Sequence, residues 1–377
     1  MNATPKTPLD ARSAAAPVNG AEVEARIAAT IRSEIRALSA YRVAKADGMI
    51  KLDAMESPYP LPEALRERLA RVLADVAVNR YPDGPADGVK DALRASLDLP
   101  AGAALVLANG SDELITLLTV AVAVPGACVL APDPSFVMYR LNALYSNLRF
   151  VGVPLRADLG LDEEAMLEAI ARDQPRLVWI AYPNNPTGNR FARASIERII
   201  AAAPGLVVID EAYYAYADDS FLPRVLEFPQ LVVVRTVSKI GMAGLRLGYA
   251  AGHPAWMREI DKVRPPYNVN ALTQAALPVL LENCELFEAH AREIRTERAR
   301  VQRALAAMPG VSVLPTETNF VLARVRDANA WFTALANARI LVKNLHGWHP
   351  LLANCLRITV GTPAENDALL TAIERMP

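Results

Sequence analysis

Between residues 104 and 236 the chain alternates short, unbroken apolar runs with amphipathic stretches. Residues 104–108, 126–130, 149–155, 177–182, 206–210 and 231–234 read as strands, and the spacing predicts helices over 114–124, 162–172 and 194–203 between them. Strands that are apolar at nearly every position are covered on both faces, and the intervening helices supply the cover. The pattern therefore predicts an α/β fold built on a parallel sheet. All carboxyl ends of such strands lie on one edge, where open α/β sheets bind their ligands.

Four of these ends carry polar groups. Gly110-Ser111-Asp112 opens a helix, where free backbone N–H groups and the helix dipole favour an anion such as phosphate. Standing alone, the same turn also reads as an ordinary Ser/Asp cap. Asn185 sits in Asn184-Asn185-Pro186-Thr187-Gly188, a turn that fixes the backbone and aims an amide. Asp210 follows four apolar residues, so it is expected to be buried and to need a cationic partner. Tyr213, three residues on, is either a donor to a phenolate oxygen or core packing. Ser238-Lys239 closes the last strand, with Arg246 seven residues after the lysine. A lysine held at a strand end loses water, its pKa falls, and it becomes a nucleophile towards a carbonyl. Ser238 and Arg246 can add charge-assisted bonds to the same phosphate, unless Arg246 serves in a structural ion pair. A phosphate site, an acid for a ring nitrogen, donors for a ring oxygen and an amine for an aldehyde together describe pyridoxal 5′-phosphate.

In order and spacing, Asn184-Asn185-Pro186-Thr187-Gly188, Asp210-Glu211-Ala212-Tyr213 and Ser238-Lys239 with Gly244-Leu245-Arg246-Leu247-Gly248 resemble the class I/II aminotransferases of fold type I. That resemblance implies a large domain with a seven-stranded, mostly parallel sheet, a small α+β domain, and a homodimer with active sites at its interface. Further motifs, Asn79-Arg80-Tyr81-Pro82-Asp83, Gly110-Ser111-Asp112-Glu113 and Leu356-Arg357-Ile358-Thr359-Val360-Gly361-Thr362, are most similar to the histidinol-phosphate aminotransferases within the family. The implied reaction is transamination between L-histidinol phosphate and 2-oxoglutarate, in histidine biosynthesis. Lys239 is then the cofactor-bonded lysine and proton carrier, Tyr81 reaches the partner subunit's cofactor phosphate, and Arg357 holds an acidic substrate group. Tyr41 and Lys343 fall where the family has residues near the substrate. Phe136 stands where members usually have a tyrosine beside the cofactor ring, which keeps the stacking and loses a hydroxyl. The segment from Lys239 to Arg246 is one residue shorter than in many members. The motifs around the cofactor leave open an aromatic amino-acid aminotransferase, an amino-acid-phosphate decarboxylase, or a cofactor-sensing domain without turnover.

The remaining features bound the reading. At 377 residues the chain is too long for one ordinary core. The expected units are a loose tail (1–20), an N-terminal segment packing with the small domain (21–50), the large cofactor-binding domain (51–280) and the small domain (281–377), with one helix over 21–38. A net charge of −1 gives no electrostatic case for nucleic acid or an anionic membrane. No apolar run reaches membrane-spanning length, and Cys128, Cys284 and Cys355 are few and scattered, which suits a reducing, cytoplasmic setting. His346 and His349 are separated by Gly347 and followed by Pro350, which breaks any helix that would align them, so no metal site is expected. The charged helix over 285–307 reads as a solvated face.

Overall fold

The computed structural model describes residues 19–40 and 44–374. It divides into two compact units, residues 1–44 and 45–377. In the first, the single helix expected over 21–38 is two: Gly20–Thr30, capped by the Asn19 side chain, and Ser33–Arg36. The break falls at Ile31 and Arg32, which are extended (ψ of 128° and 140°), directly after the β-branched Thr30. Neither helix buries a residue, so no packing within this unit holds the two in line against their weak local propensity.

The second unit opens with β1 (Ile50–Leu52). Then follow β2 (Ala104–Ala108), β3 (Cys128–Asp133), β4 (Arg149–Pro154), β5 (Leu177–Ala181), β6 (Leu206–Asp210), β7 (Leu231–Thr236) and β8 (Gly248–Gly252). These seven form one sheet in the order β2-β8-β7-β6-β5-β3-β4, parallel except for β8, which runs antiparallel to β2 and β7. Successive side chains enter opposite cores. Val207, Ile209, Leu231 and Val233 pack on one face, and Leu206, Val208, Val232 and Val234 on the other. Burial on both sides is why these runs are apolar at every position.

β9 (Ser312–Val313), β10 (Phe320–Arg324), β11 (Ile340–Asn344) and β12 (Cys355–Thr359) form a second sheet with β1, ordered β1-β11-β12-β10-β9. β1 spans residue 51, the expected start of the large domain. Ile50, Lys51 and Leu52 pair in parallel with Ile340, Leu341 and Val342, so this strand belongs to the five-stranded sheet. Its apolar partners come late in the chain, where local sequence gives no sign of them.

The helix Cys284–Ala306 is also not the simple solvated face expected. Ile294, Val301 and Leu305 are buried against the second sheet's core. Arg295 donates to the Ala215 carbonyl at 2.9 Å, and Arg298 to the carbonyls of Thr318 (2.8 Å) and Tyr216 (3.3 Å). Glu297, 8% exposed, accepts from Arg300 and from Asn366.

Next to Asp210, the chain turns Glu211 into a fully buried position facing Arg235 of β7. Arg235 Nε donates to Glu211 Oε2 at 2.9 Å and its Nη2 lies 2.8 Å from the same oxygen while donating to Ser220 Oγ; Ser220 Oγ and the Phe221 N–H donate to the carboxylate in turn. The guanidinium lies 3.9 Å from the centre of the Tyr214 ring. Removing one member of such a pair strands the other charge in a dry interior. Glu211→Ala is therefore expected to lower the unfolding free energy by roughly 3–5 kcal/mol. Urea denaturation of the cofactor-free protein measures this, and a loss below about 1 kcal/mol, the scale of an exposed ion pair, contradicts it.

Candidate active site

The carboxyl edge of the seven-stranded sheet forms a pocket. Ser111, Asp112, Phe136, Asn185, Asp210, Tyr213, Ser238, Lys239 and Arg246 all line it, so the structure brings together nine residues singled out from the sequence. Met55, Tyr139, Ala181, Ala212 and Thr236 complete the wall.

Lys239 lies in a single helical turn, Ser238–Ile240, immediately beyond β7. Its Nζ donates to the Ala54 carbonyl at 3.2 Å. Burial, then the nearby Arg357 charge, lower its pKa to about 8. Tyr216 holds the backbone here by donating to the Lys239 carbonyl at 2.6 Å. The short link to Arg246 fits as two such turns, with Gly241 (φ 111°) and Arg246 (φ 50°) in left-handed conformations.

Asp210 ends β6 and is 4% exposed. Among the described residues no cation pairs with it; instead Tyr139 Oη donates to Oδ2 at 2.7 Å and the Ala212 N–H to Oδ1 at 3.0 Å. Burial raises its pKa to about 6, while these two donors pull it down. Phe136 stands at the start of the helix Val137–Tyr145 and packs edge-on to Tyr139.

The turn after β2 is shaped by two glycines. Gly110 has φ 78°, and a Cβ there would stand 2.8 Å from Arg246 Nη2. A Cβ on Gly248 would stand 2.6 Å from the Gly110 carbonyl carbon and 2.7 Å from the Ser111 nitrogen. The Asn109 side chain makes no capping bond at the helix Gly110–Ala121, while Glu113 Oε2 accepts the Asn109 N–H at 2.6 Å. Arg246 donates to Ser238 Oγ at 3.3 Å and lies 3.6 Å from Asp112 Oδ2, so it is both a donor at the cradle and an ion-pair partner.

The second sheet contributes from the other side. Arg357 on β12 donates to Asn185 Oδ1 at 2.7 Å and to the Asp53 carbonyl at 3.1 Å. Lys343 on β11 is paired in register with Arg357, and its ammonium lies 4.8 Å from the centre of the Trp348 ring. Burial and the Arg357 charge lower its pKa. Tyr213 is buried and meets Phe320 edge to face. Tyr81 is not in this pocket; it is 81% exposed and stacked on Tyr267 at 4.6 Å. Tyr41 lies outside the described residues. His346 and His349 each accept a backbone N–H on Nδ1, from Asn354 and Leu351.

Sequence reasoning missed Tyr139 and Thr236. Thr236 Oγ1 bonds both Ser238 Oγ (2.9 Å) and the Leu247 carbonyl (3.1 Å), tying the lysine turn to the segment that carries Arg246. Its signal was its place two residues before Ser238. Tyr139 had no such signal, because it comes from a helix and not from a strand end.

This architecture, a mostly parallel sheet with a desolvated lysine and a buried acid on one edge, defines the class. The sequence profile of the aminotransferase class I and II family matches residues 47–373, and the chain belongs to that family. It is 58% identical over 345 residues to histidinol-phosphate aminotransferase of Chromobacterium violaceum, covering 92% of this chain and 97% of that one. It is 54% identical to histidinol-phosphate aminotransferase 1 of Ralstonia nicotianae, covering 91% and 93%. Among solved structures it is similar to histidinol-phosphate aminotransferase of Sinorhizobium meliloti in complex with pyridoxal-5′-phosphate. There the TM-score is 0.81 at 26% identity, with 91% of this chain and 96% of that chain covered. The protein is an aminotransferase.

The lowered pKa of Lys239 has a direct consequence. An amine reacts when neutral, so labelling of Lys239 in the cofactor-free protein by a small amine-selective reagent should rise through about pH 8. Peptide mapping across a pH series reads the midpoint; one near the ordinary lysine value of about 10.4 contradicts the desolvated setting.

Proposed function

We propose that the protein binds pyridoxal 5′-phosphate and transfers the amino group between L-histidinol phosphate and 2-oxoglutarate, giving imidazole-acetol phosphate and glutamate. The observation that carries this reading is Lys239 and Asp210, both desolvated, lining one pocket in a chain 58% identical to a histidinol-phosphate aminotransferase.

The residues present fit the cofactor. Asp210 spends one hydrogen bond on each oxygen, which leaves lone pairs for a ring N–H. The Gly110 turn, Ser111, Asp112, Ser238 and Arg246 make a cradle of backbone and side-chain donors suited to a phosphate. Phe136 supplies an aromatic face, and Asn185 and Tyr213 supply donors for a ring oxygen. When bound, the cofactor acts as an electron sink for the pair left behind when the substrate Cα–H bond breaks.

The protein's own groups do the rest. Lys239 would hold the cofactor through its Nζ, and the freed amine would take the proton from the substrate Cα and deliver it to the cofactor's C4′. A pKa of about 8 keeps a useful fraction of that amine neutral near physiological pH. Arg357, braced by Asn185 and the Asp53 carbonyl, presents a guanidinium to the substrate. Carboxylate and phosphate both match its fork, so one residue can serve both half-reactions. Lys343, paired in register beside it, belongs to the same substrate end of the site. The exposed Tyr81 reaches the cofactor phosphate of a partner subunit in a homodimer. No helix among the described residues is long and apolar enough to cross a membrane, and a cytoplasmic location suits the reaction.

The yellow chromophore of the bound cofactor should form in the wild type and change on adding glutamate or histidinol phosphate. Lys239→Ala should lose about 10²–10⁴-fold in turnover, the scale of general-base catalysis; normal turnover in that variant overturns the assignment of Lys239. Parallel assays with histidinol phosphate, phenylalanine and threonine phosphate test the substrate. The expected order puts histidinol phosphate first in kcat/KM, and a clear preference for phenylalanine overturns the substrate while leaving the cofactor site intact. Arg357→Ala should raise KM for both acidic substrates by roughly tenfold or more, the scale of a lost charged hydrogen bond.

A further inference from the structure

Tyr139 belongs to none of the strand ends that build the pocket. It sits on the helix Val137–Tyr145 and is fully buried, yet its hydroxyl reaches Asp210 Oδ2 at 2.7 Å. The ring is held on two sides. It stacks on Trp179 of β5 with centroids 4.7 Å apart and planes 7° off parallel, and it meets Phe136 at 86° and 5.7 Å. With the Ala212 N–H on Oδ1, both oxygens of the carboxylate are pinned.

We propose that Tyr139 is a positioning residue for the cofactor-binding acid: its hydroxyl fixes the orientation of the Asp210 carboxylate and holds it ionised in a desolvated site. This rests on the reading of Asp210 as the partner of the cofactor's ring nitrogen.

The choice of a phenol has a physical reason. A lysine or arginine paired with Asp210 would neutralise the acid and weaken its hold on a ring N–H. A neutral donor stabilises the carboxylate and leaves its full charge facing the pocket. Several groups surround that carboxylate. Asp112, from the helix Gly110–Ala121, and Glu211, next in the chain, both oppose its ionisation. Tyr213, Lys239 and Arg246 line the same pocket. Burial and the Asp210 charge push the Tyr139 phenol well above its ordinary range, so the proton stays on the phenol oxygen and the bond keeps one direction.

The test is cofactor affinity as a function of pH, measured on the full-length protein freed of cofactor and titrated with pyridoxal 5′-phosphate. Four proteins are compared: wild type, Tyr139→Phe, Asp210→Asn and the double variant. Phenylalanine keeps the ring stacking, and a thermal melt of each protein reports folding separately. Affinity in the wild type should fall as Asp210 takes up a proton. Removing the donor raises the pKa of Asp210, so Tyr139→Phe should move that fall to higher pH by about one unit and weaken binding roughly fivefold near pH 6 and roughly tenfold near pH 5, the scale of a lost hydrogen bond to a charged group. In the Asp210→Asn background the second substitution should change nothing further, because Tyr139 acts through the acid. A wild-type profile for Tyr139→Phe, or losses that add in the double variant, overturns the proposal. Wild-type affinity in Asp210→Asn instead overturns the assignment of Asp210 on which it rests.

Discussion

Loss of water at the carboxyl edge of the seven-stranded sheet is the constraint on which the site depends. It acts in opposite directions on two neighbouring groups. Burial favours the neutral form of each, raising Asp210 to about 6 and lowering Lys239 to about 8. An acid and an amine moved towards each other in pKa, and towards neutral pH, are suited to holding and moving protons. The same sheet makes this possible, because strands buried on both faces deliver their ends to a rim that water reaches poorly.

What surrounds the pair keeps it in place without quenching it. Tyr139 and the Ala212 N–H hold Asp210 with neutral donors, and Glu211, one residue on, is bonded to Arg235 and is thereby kept from competing for the pocket's cations. On the lysine side, Thr236 and Tyr216 fix the turn. Tyr216 links onward: its hydroxyl bonds the Lys239 carbonyl, while its own carbonyl accepts from Arg298 on the helix Cys284–Ala306. That helix packs on the second sheet, which carries Arg357 and Lys343. The lysine turn and the strands that carry Arg357 and Lys343 therefore share a scaffold of buried hydrogen bonds.

Much of this was legible in the sequence, for a physical reason. Strands covered on both faces must be apolar throughout, so β2, β5, β6 and β7 stood out, and the polar residues ending them had to share an edge. Asp210, Lys239, Asn185 and the Gly110 turn followed from that alone, while Arg357 and Lys343 needed the resemblance to known aminotransferases. Features set by distant partners were not legible. β8, Gly248–Gly252, is made of Gly, Ala and Tyr, and it needs glycine at 248 because the Gly110 turn presses against it. The partner of β1, which sets that strand's place in the second sheet, lies far along the chain. Tyr139 lies on a helix that follows Asp133-Pro134-Ser135-Phe136, a run that reads as a turn, and the helix begins immediately after it.

The central claim is that the desolvated amine on this edge is the one that bonds the cofactor. Reduction of the cofactor-loaded protein with borohydride, followed by peptide mass mapping, tests it most directly. The account predicts a stable pyridoxyl mass on the peptide carrying Lys239 and on no other. The label on a different lysine, with Lys239 unmodified, would contradict it.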